Sequence, residues 1–285
     1  MAKILIIGCG KIGYDLAIKL THDGHAVTGL KRMPPEAEGF GIDFIRADIA
    51  VATDVAKLDV DFDFVYFIVS PDKRDEVSYA RVYETGLMLL LSHFRQAKSH
   101  ALWIFVSSTS VYGQTQGEWV DEDSETLPKT ATAQLLLKAE QAVKVMNPAN
   151  IIVRFSGIYG PGREYLLRQA MQRPVLQKTP PSYTNRIHQL DCVGILAFLL
   201  QQSLQGVQLE SCYLANDDRP APLWDVVSWL AEYLACPTPV EKALSHDSEQ
   251  NKRCRNARIK RLGYRFFHPD YQSGYSEMIQ LLNWP

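Results

Sequence analysis

The sequence predicts an α/β fold, a doubly wound parallel sheet accompanied by a smaller, mostly C-terminal lobe. Three observations carry this. An apolar run over 3–7 meets Gly8, Gly10 and Gly13 in the spacing G-x-G-x-x-G, and an amphipathic segment follows. Strand-like and helix-like runs then alternate through the first half, as βαβ crossovers require. After Phe155 that rhythm gives way to loops, aromatics and isolated helices.

Taken in order, the first strand (3–7) leads through the glycines into a helix over 11–22, with Ile12, Leu16, Ala17 and Leu20 on one apolar stripe. Gly8 permits the tight turn, Gly10 lets a pyrophosphate approach the backbone, and Gly13 allows close packing of helix on strand. The helix start adds unpaired N–H groups and a partial positive charge. This is the unit that binds a dinucleotide, so Gly8, Gly10, Lys11, Ile12 and Gly13 are expected to meet a cofactor. Further strands are expected over 26–30, 43–47, 64–69, 102–107 and 151–155, several apolar almost throughout, as strands covered on both faces are. Helices are expected over 75–97 and 131–146, the latter stopped by Asn147-Pro148. The stretch 32–41 holds Pro34, Pro35, Gly39 and Gly41, which leaves the usual second helix short or absent. The expected organisation is a Rossmann-type domain over 1–156, with a returning strand near 211–215, and a smaller substrate-binding lobe over 157–285 that closes over the cofactor. Helices over 191–202 and 223–235 belong to that later part.

Composition agrees and excludes much. At 285 residues and 46% apolar content the chain can bury a large core, and a formal charge of −2 gives no footprint for nucleic acid or an anionic membrane surface. Five cysteines without paired spacing suggest free thiols in a reducing compartment, and the absence of CxxC pairs or clustered histidines argues against a metal site. The apolar run around 86–91 is too short to span a bilayer, and the first strand leaves no room for a leader. A cytoplasmic protein is expected.

The second strand ends Gly29-Leu-Lys-Arg32, where an acidic residue for an adenosine ribose hydroxyl usually stands. Lys31 and Arg32 there would attract a 2′-phosphate, which favours NADP, with NAD as the alternative. Asp48, after the third strand, suits either the adenine edge or the cap of a helix over 52–58; Ile49 and Ser70 are further cofactor candidates.

With Ser107-Ser-Thr-Ser-Val-Tyr-Gly113, Arg154-Phe-Ser-Gly-Ile-Tyr-Gly-Pro-Gly162 and His188-Gln-Leu-Asp191 added to the glycine motif, the chain resembles the extended branch of the short-chain dehydrogenase/reductases, the nucleotide-sugar epimerase/dehydratase group. The resemblance runs from Lys3 to about Ala215. It implies that Ser108, four residues before Tyr112, assists at the substrate hydroxyl. It also places Tyr112 and the loop 154–162 beside the substrate and the nicotinamide.

In that family a Tyr-x-x-x-Lys pair moves the proton, the lysine lowering the phenol's pKa. Alignment on Ala139-Glu140 puts Thr132 and Leu136 at those two positions. Neither standard group is present, so the chain resembles an atypical subgroup that keeps the fold without the pair.

The resemblance implies an NAD(P)-dependent oxidoreductase acting on a sugar or nucleotide-sugar-like alcohol by reversible hydride transfer. Ser108 orients the hydroxyl, Thr132, Tyr112 or Tyr183 moves the proton, and Arg154, Arg163 and His188 bind the substrate. Arg163 as a surface residue and His188 as a loop histidine are the plainer readings. The competing function is a catalytically inactive NADP-binding redox sensor or partner-binding protein. A small-molecule substrate is the expected partner, with room for a homodimer.

Overall fold

A computed structural model describes residues 1–34, 40–242 and 251–282. Pro35 and Gly39, part of the predicted break, lie outside them. The seven strands of the central sheet are β1 (Lys3–Ile7), β2 (Ala26–Lys31), β3 (Asp43–Arg46), β4 (Phe64–Phe67), β5 (Leu102–Ser108), β6 (Ile151–Phe155) and β7 (Cys212–Ala215). Their order is β7-β6-β5-β4-β1-β2-β3 in a parallel sheet, a doubly wound arrangement that reverses beside β1. Ile4 to Ile7 and Phe64 to Phe67 are buried along their whole length, which is why these strands read as unbroken apolar runs.

Two compact units share the chain. The first holds Met1–Val111, Pro128–Arg154 and Val193–Tyr213; the second holds 112–127, 155–192 and 214–285. The units therefore interleave in sequence, and the chain passes between them inside β6 and β7.

In the first unit the Lys11–His22 helix buries Ile12, Leu16, Ala17 and Leu20, the stripe its spacing predicted. The Ala131–Met146 helix starts where Thr130 accepts the Ala133 N–H at 3.3 Å. The segment expected as one helix over 75–97 is built in three parts: Glu76–Ala80, a π-helical turn Arg81–Gly86, and Leu87–Gln96. Arg81 and Leu87 keep right-handed helical backbone at the joints, so the helix runs on through the wide turn. Gly86 allows that turn to sit close to Ile49, whose Cγ1 would lie 2.7 Å from an added Cβ. Among the described residues no helix lies between β2 and β3. The helix expected after Asp48 is the single turn Ala52–Val55, with Val51 and not Asp48 at its cap position.

The second unit pairs Arg186–His188 with Gly157–Tyr159 and Lys252–Cys254 with Glu118–Val120, both in parallel. Tyr159, Leu167, Val226, Leu230, Tyr275 and Met278 form the heart of its core. The Leu223–Tyr233 helix ends two residues short of expectation because Ala235 turns to a left-handed φ of 53°. Gly274 is required on the Tyr271–Leu281 helix, since an added Cβ would stand 2.0 Å from the Tyr159 hydroxyl oxygen. Among the described residues no helix is long and apolar enough to cross a membrane.

Candidate functional site

The glycine turn is built from backbone. Gly8 has a φ of 95°, and an added Cβ would meet the carbonyl carbon of Ile68 at 2.7 Å, so only glycine fits. The Gly8 and Cys9 N–H groups donate to the Leu30 carbonyl at 3.1 and 3.3 Å, which ties the turn to β2. Gly13 presses on Gly8, the Gly8 oxygen lying 2.5 Å from its Cβ position. Gly10 is different: nothing lies within 4 Å of its Cβ position. It begins the Lys11–His22 helix with no side-chain cap and no acidic residue in the first turn. Open space beside exposed helix-start N–H groups is a cradle that a pyrophosphate fits. Lys11 stands exposed beside it and pairs with Asp15 at 3.0 Å, while Ile12 packs inward.

The charged candidates around this turn have definite partners. Arg32 makes a bidentate pair with Asp72, at 2.8 and 2.5 Å. Lys31 is half-buried and close enough to Cys9 to offset part of the burial that pushes this thiol up to about 11. Asp48 accepts the Ala50 N–H at 2.9 Å and pairs with Arg81 at 2.7 Å. Burial opposes its charge, but those two partners prevail and hold its carboxyl below the usual range. Ile49 is buried against Gly86, and Ser70 is exposed on the segment leaving β4.

Ser108 is half-buried at the end of β5, where its Oγ accepts the Ser110 N–H at 3.1 Å. Thr132 lies in the first turn of the Ala131–Met146 helix, its Oγ1 3.2 Å from that of Thr130. That helix packs on β5 and on the turn just after Ser108. Leu136 is buried, and Lys138 points to Glu84 at 3.6 Å.

Two expectations need correcting. Arg154, expected at the substrate, is 8% exposed and gives its Nη2 and Nε to Glu140 at 2.7 and 3.0 Å. Glu140 also accepts from Ser107 Oγ, so these three join β5, the helix and β6 as internal structure. Tyr112, considered for proton transfer, is fully buried in the second unit and donates to the Asp121 carbonyl at 2.6 Å.

In that second unit Arg163 is exposed on its loop. His188 is buried, with its ring 4.2 Å from that of His268 and 5.1 Å from that of Tyr159. Burial, then the His268 charge, pushes it down to about 4, so it is neutral near pH 7. Sequence reasoning missed two neighbours. Arg186 is buried; its Nη2 reaches Thr184, while its Nε and Nη1 have no hydrogen-bond partner. Asp217 is buried too; its Oδ1 accepts the Arg219 N–H at 3.1 Å, its Oδ2 has no partner, and burial pushes it up to about 8. An arginine two residues before a histidine in a short buried strand was the available signal. Among the described residues no group of His, Cys, Asp or Glu is placed to hold a metal ion.

A model of the NAD dependent epimerase/dehydratase family matches residues 4–197. The chain belongs to that family. A Methylobacillus flagellatus structure, described provisionally as an NAD-dependent epimerase/dehydratase, is 35% identical, with 99% of each chain covered and a TM-score of 0.81. Protein YeeZ of Escherichia coli (strain K12) is 28% identical over 282 residues, 95% of this chain and 97% of its own. UDP-glucuronic acid 4-epimerase from Bacillus cereus, solved in complex with NAD, is 20% identical and shares the fold, with a TM-score of 0.78 over 98% of this chain and 99% of its own.

Proposed function

We propose that this family member is an NAD(P)-dependent oxidoreductase of epimerase/dehydratase type, acting on a sugar or nucleotide-sugar-like alcohol. The observation that carries the reading is the open cradle at Gly10, where an uncapped helix start faces space that any Cβ would enter. A bound dinucleotide would take a hydride from the alcohol carbon and return it. The backbone at Gly8, Gly10 and Gly13 holds the pyrophosphate, and Lys31 with Arg32 favours the 2′-phosphate of NADP. Ser108 Oγ orients the substrate hydroxyl, and Thr132 passes the proton through a hydroxyl already within reach of Thr130. A threonine is a weak acid beside a phenol, so turnover is expected to be slow relative to members with the usual pair.

The second unit serves as the substrate lobe in this reading. Arg186, with two unpartnered N–H-bearing nitrogens, suits anionic or hydroxylated substrate parts, and neutral His188 suits a hydroxyl. The Bacillus cereus relative, a UDP-glucuronic acid 4-epimerase, supports the nucleotide-sugar class. The protein works in the cytoplasm on this reading.

Calorimetric titration with NADH and NADPH tests the cofactor. Wild-type protein is expected to bind, and Gly10→Val to lose at least about a hundredfold in affinity for both while keeping its circular dichroism spectrum. Unchanged affinity in Gly10→Val overturns the reading.

A further inference from the structure

Arg32 and Asp72 lie 40 residues apart and leave two different strands, yet they form a bidentate pair. The sheet explains what lies between them. β1 sits between β2 and β4, and Ile7 at its end is opposite Leu30 on one side and Phe67 on the other. The glycine turn after Ile7 is bonded to the Leu30 carbonyl and packs against the Ile68–Val69 backbone. Arg32 follows the end of β2, and Asp72 follows the exit of β4. Their bridge therefore passes from one flank of the glycine turn to the other.

Two further charges complete the arrangement. Asp48 pairs with Arg81, the Asp48 charge acts on Arg32, and the Arg81 charge acts on Asp72. Arg32, Asp72, Arg81 and Asp48 thus alternate in sign and sum to zero. Asp72 is the member best able to hold Arg32, and its hydrogen bond to that guanidinium is what keeps its carboxyl below the usual range.

We propose that Asp72 sets cofactor selectivity by restraining Arg32 across the glycine turn. The inference rests on the dinucleotide reading above. A 2′-phosphate arriving at the end of β2 has to draw the guanidinium from Asp72 and also meets the Asp72 charge. A 2′-hydroxyl faces neither penalty. Lys31, which makes no ion pair among the described residues, supplies attraction that needs no exchange. Asp72 therefore narrows the NADP preference that Lys31 and Arg32 would otherwise give, and keeps NAD competitive.

The test is calorimetric titration of wild type, Asp72→Asn, Arg32→Gln and the double variant with NADH and NADPH, at low and high salt. Asp72→Asn is expected to tighten NADPH by about three- to tenfold and to leave NADH within about twofold, since exposed pairs and single screened charges have effects of that size. In the Arg32→Gln background the same change should move NADPH by less than about twofold, because the restrained group is gone. The gain should shrink at high salt. If Asp72→Asn changes both dinucleotides alike, or neither, the proposal is overturned. A gain that persists in full without Arg32 overturns it too, since Asp72 would then act by its own charge alone. Wild-type protein that binds neither dinucleotide overturns the cofactor reading itself, and this inference with it; binding with an unchanged ratio overturns this inference only.

Discussion

The two units each bury a carboxylate near an arginine, and the outcomes are opposite. In the first, Glu140 meets Arg154 at 2.7 Å and accepts from Ser107 as well, so the carboxylate and guanidinium are matched. In the second, the Arg186 charge acts on Asp217 but the two make no ion pair, and Asp217 Oδ2 and two Arg186 nitrogens are left unpartnered. A closed pair ties strands and helix together. An open one keeps unspent hydrogen-bonding capacity at a cost in stability, which is a pattern expected where a ligand makes up the difference.

The largest expected effect tests the closed pair. Glu140→Ala leaves the Arg154 guanidinium buried without its counter-charge and should cost about 3–5 kcal/mol, read as a lower urea midpoint with little change in m-value. Glu140→Gln, which keeps shape but not charge, should be nearly as damaging. A loss below about 1 kcal/mol would mean that water reaches Arg154 and that the contrast between the units is false.

Asp217 gives the middle effect, and it depends on pH. Its folded pKa is raised from 3.8 to about 8, so the native state keeps a proton that the unfolded chain releases. The resulting stability is fully present below the unfolded value and is lost as pH rises through about 8. Asp217→Asn does not titrate, so its stability relative to wild type should climb between pH 5 and pH 8 by something on the order of 3–4 kcal/mol. His188 changes in the opposite sense but is common to both proteins: its folded value of about 4 preserves stability above 6.5 that is lost on acidification. A pH-independent difference between variant and wild type would mean that burial does not raise the Asp217 pKa in the folded protein.

The smallest effect belongs to the solvent-facing Arg81–Asp48 pair, whose side chains are 54% and 25% exposed. Arg81→Gln should cost under about 1 kcal/mol, and most of that should vanish at high salt. A larger, salt-insensitive loss would show that exposure is a poor guide to which ion pairs matter here.

Much of the sheet and the glycine turn was legible because each depends on local rules. Apolar runs mark strands buried on both faces, and G-x-G-x-x-G marks a backbone that must bend and approach closely at Gly8, Gly10 and Gly13. Side-chain partnerships across the fold were not legible. Arg32 looked available until Asp72, far along the chain, was found holding it. Arg154 looked like a substrate residue because its motif says nothing about which way the side chain faces. Arg186 and Asp217 meet only once Arg186–His188 and the segment after β7 have folded beside each other, the Asp217 N–H donating to the Arg186 carbonyl at 2.7 Å.

The wide turn at Arg81–Gly86 makes chain length itself a constraint. An α-helix turns by about 100° per residue, and a π-helical turn accommodates one residue more than an α-helical one. Removing a single residue there would let the helix close into regular α geometry with its two ends nearly in their present orientation. Removing one from Leu87–Gln96, where no wide turn absorbs it, would rotate everything on the N-terminal side by about that angle. Arg81 would swing away from Asp48, and Asp75, whose carboxylate now caps the Ser78 N–H at 2.7 Å, would enter the helix from another direction. Such a deletion need remove no functional side chain to be harmful. In this stretch the count of residues carries as much information as their identity.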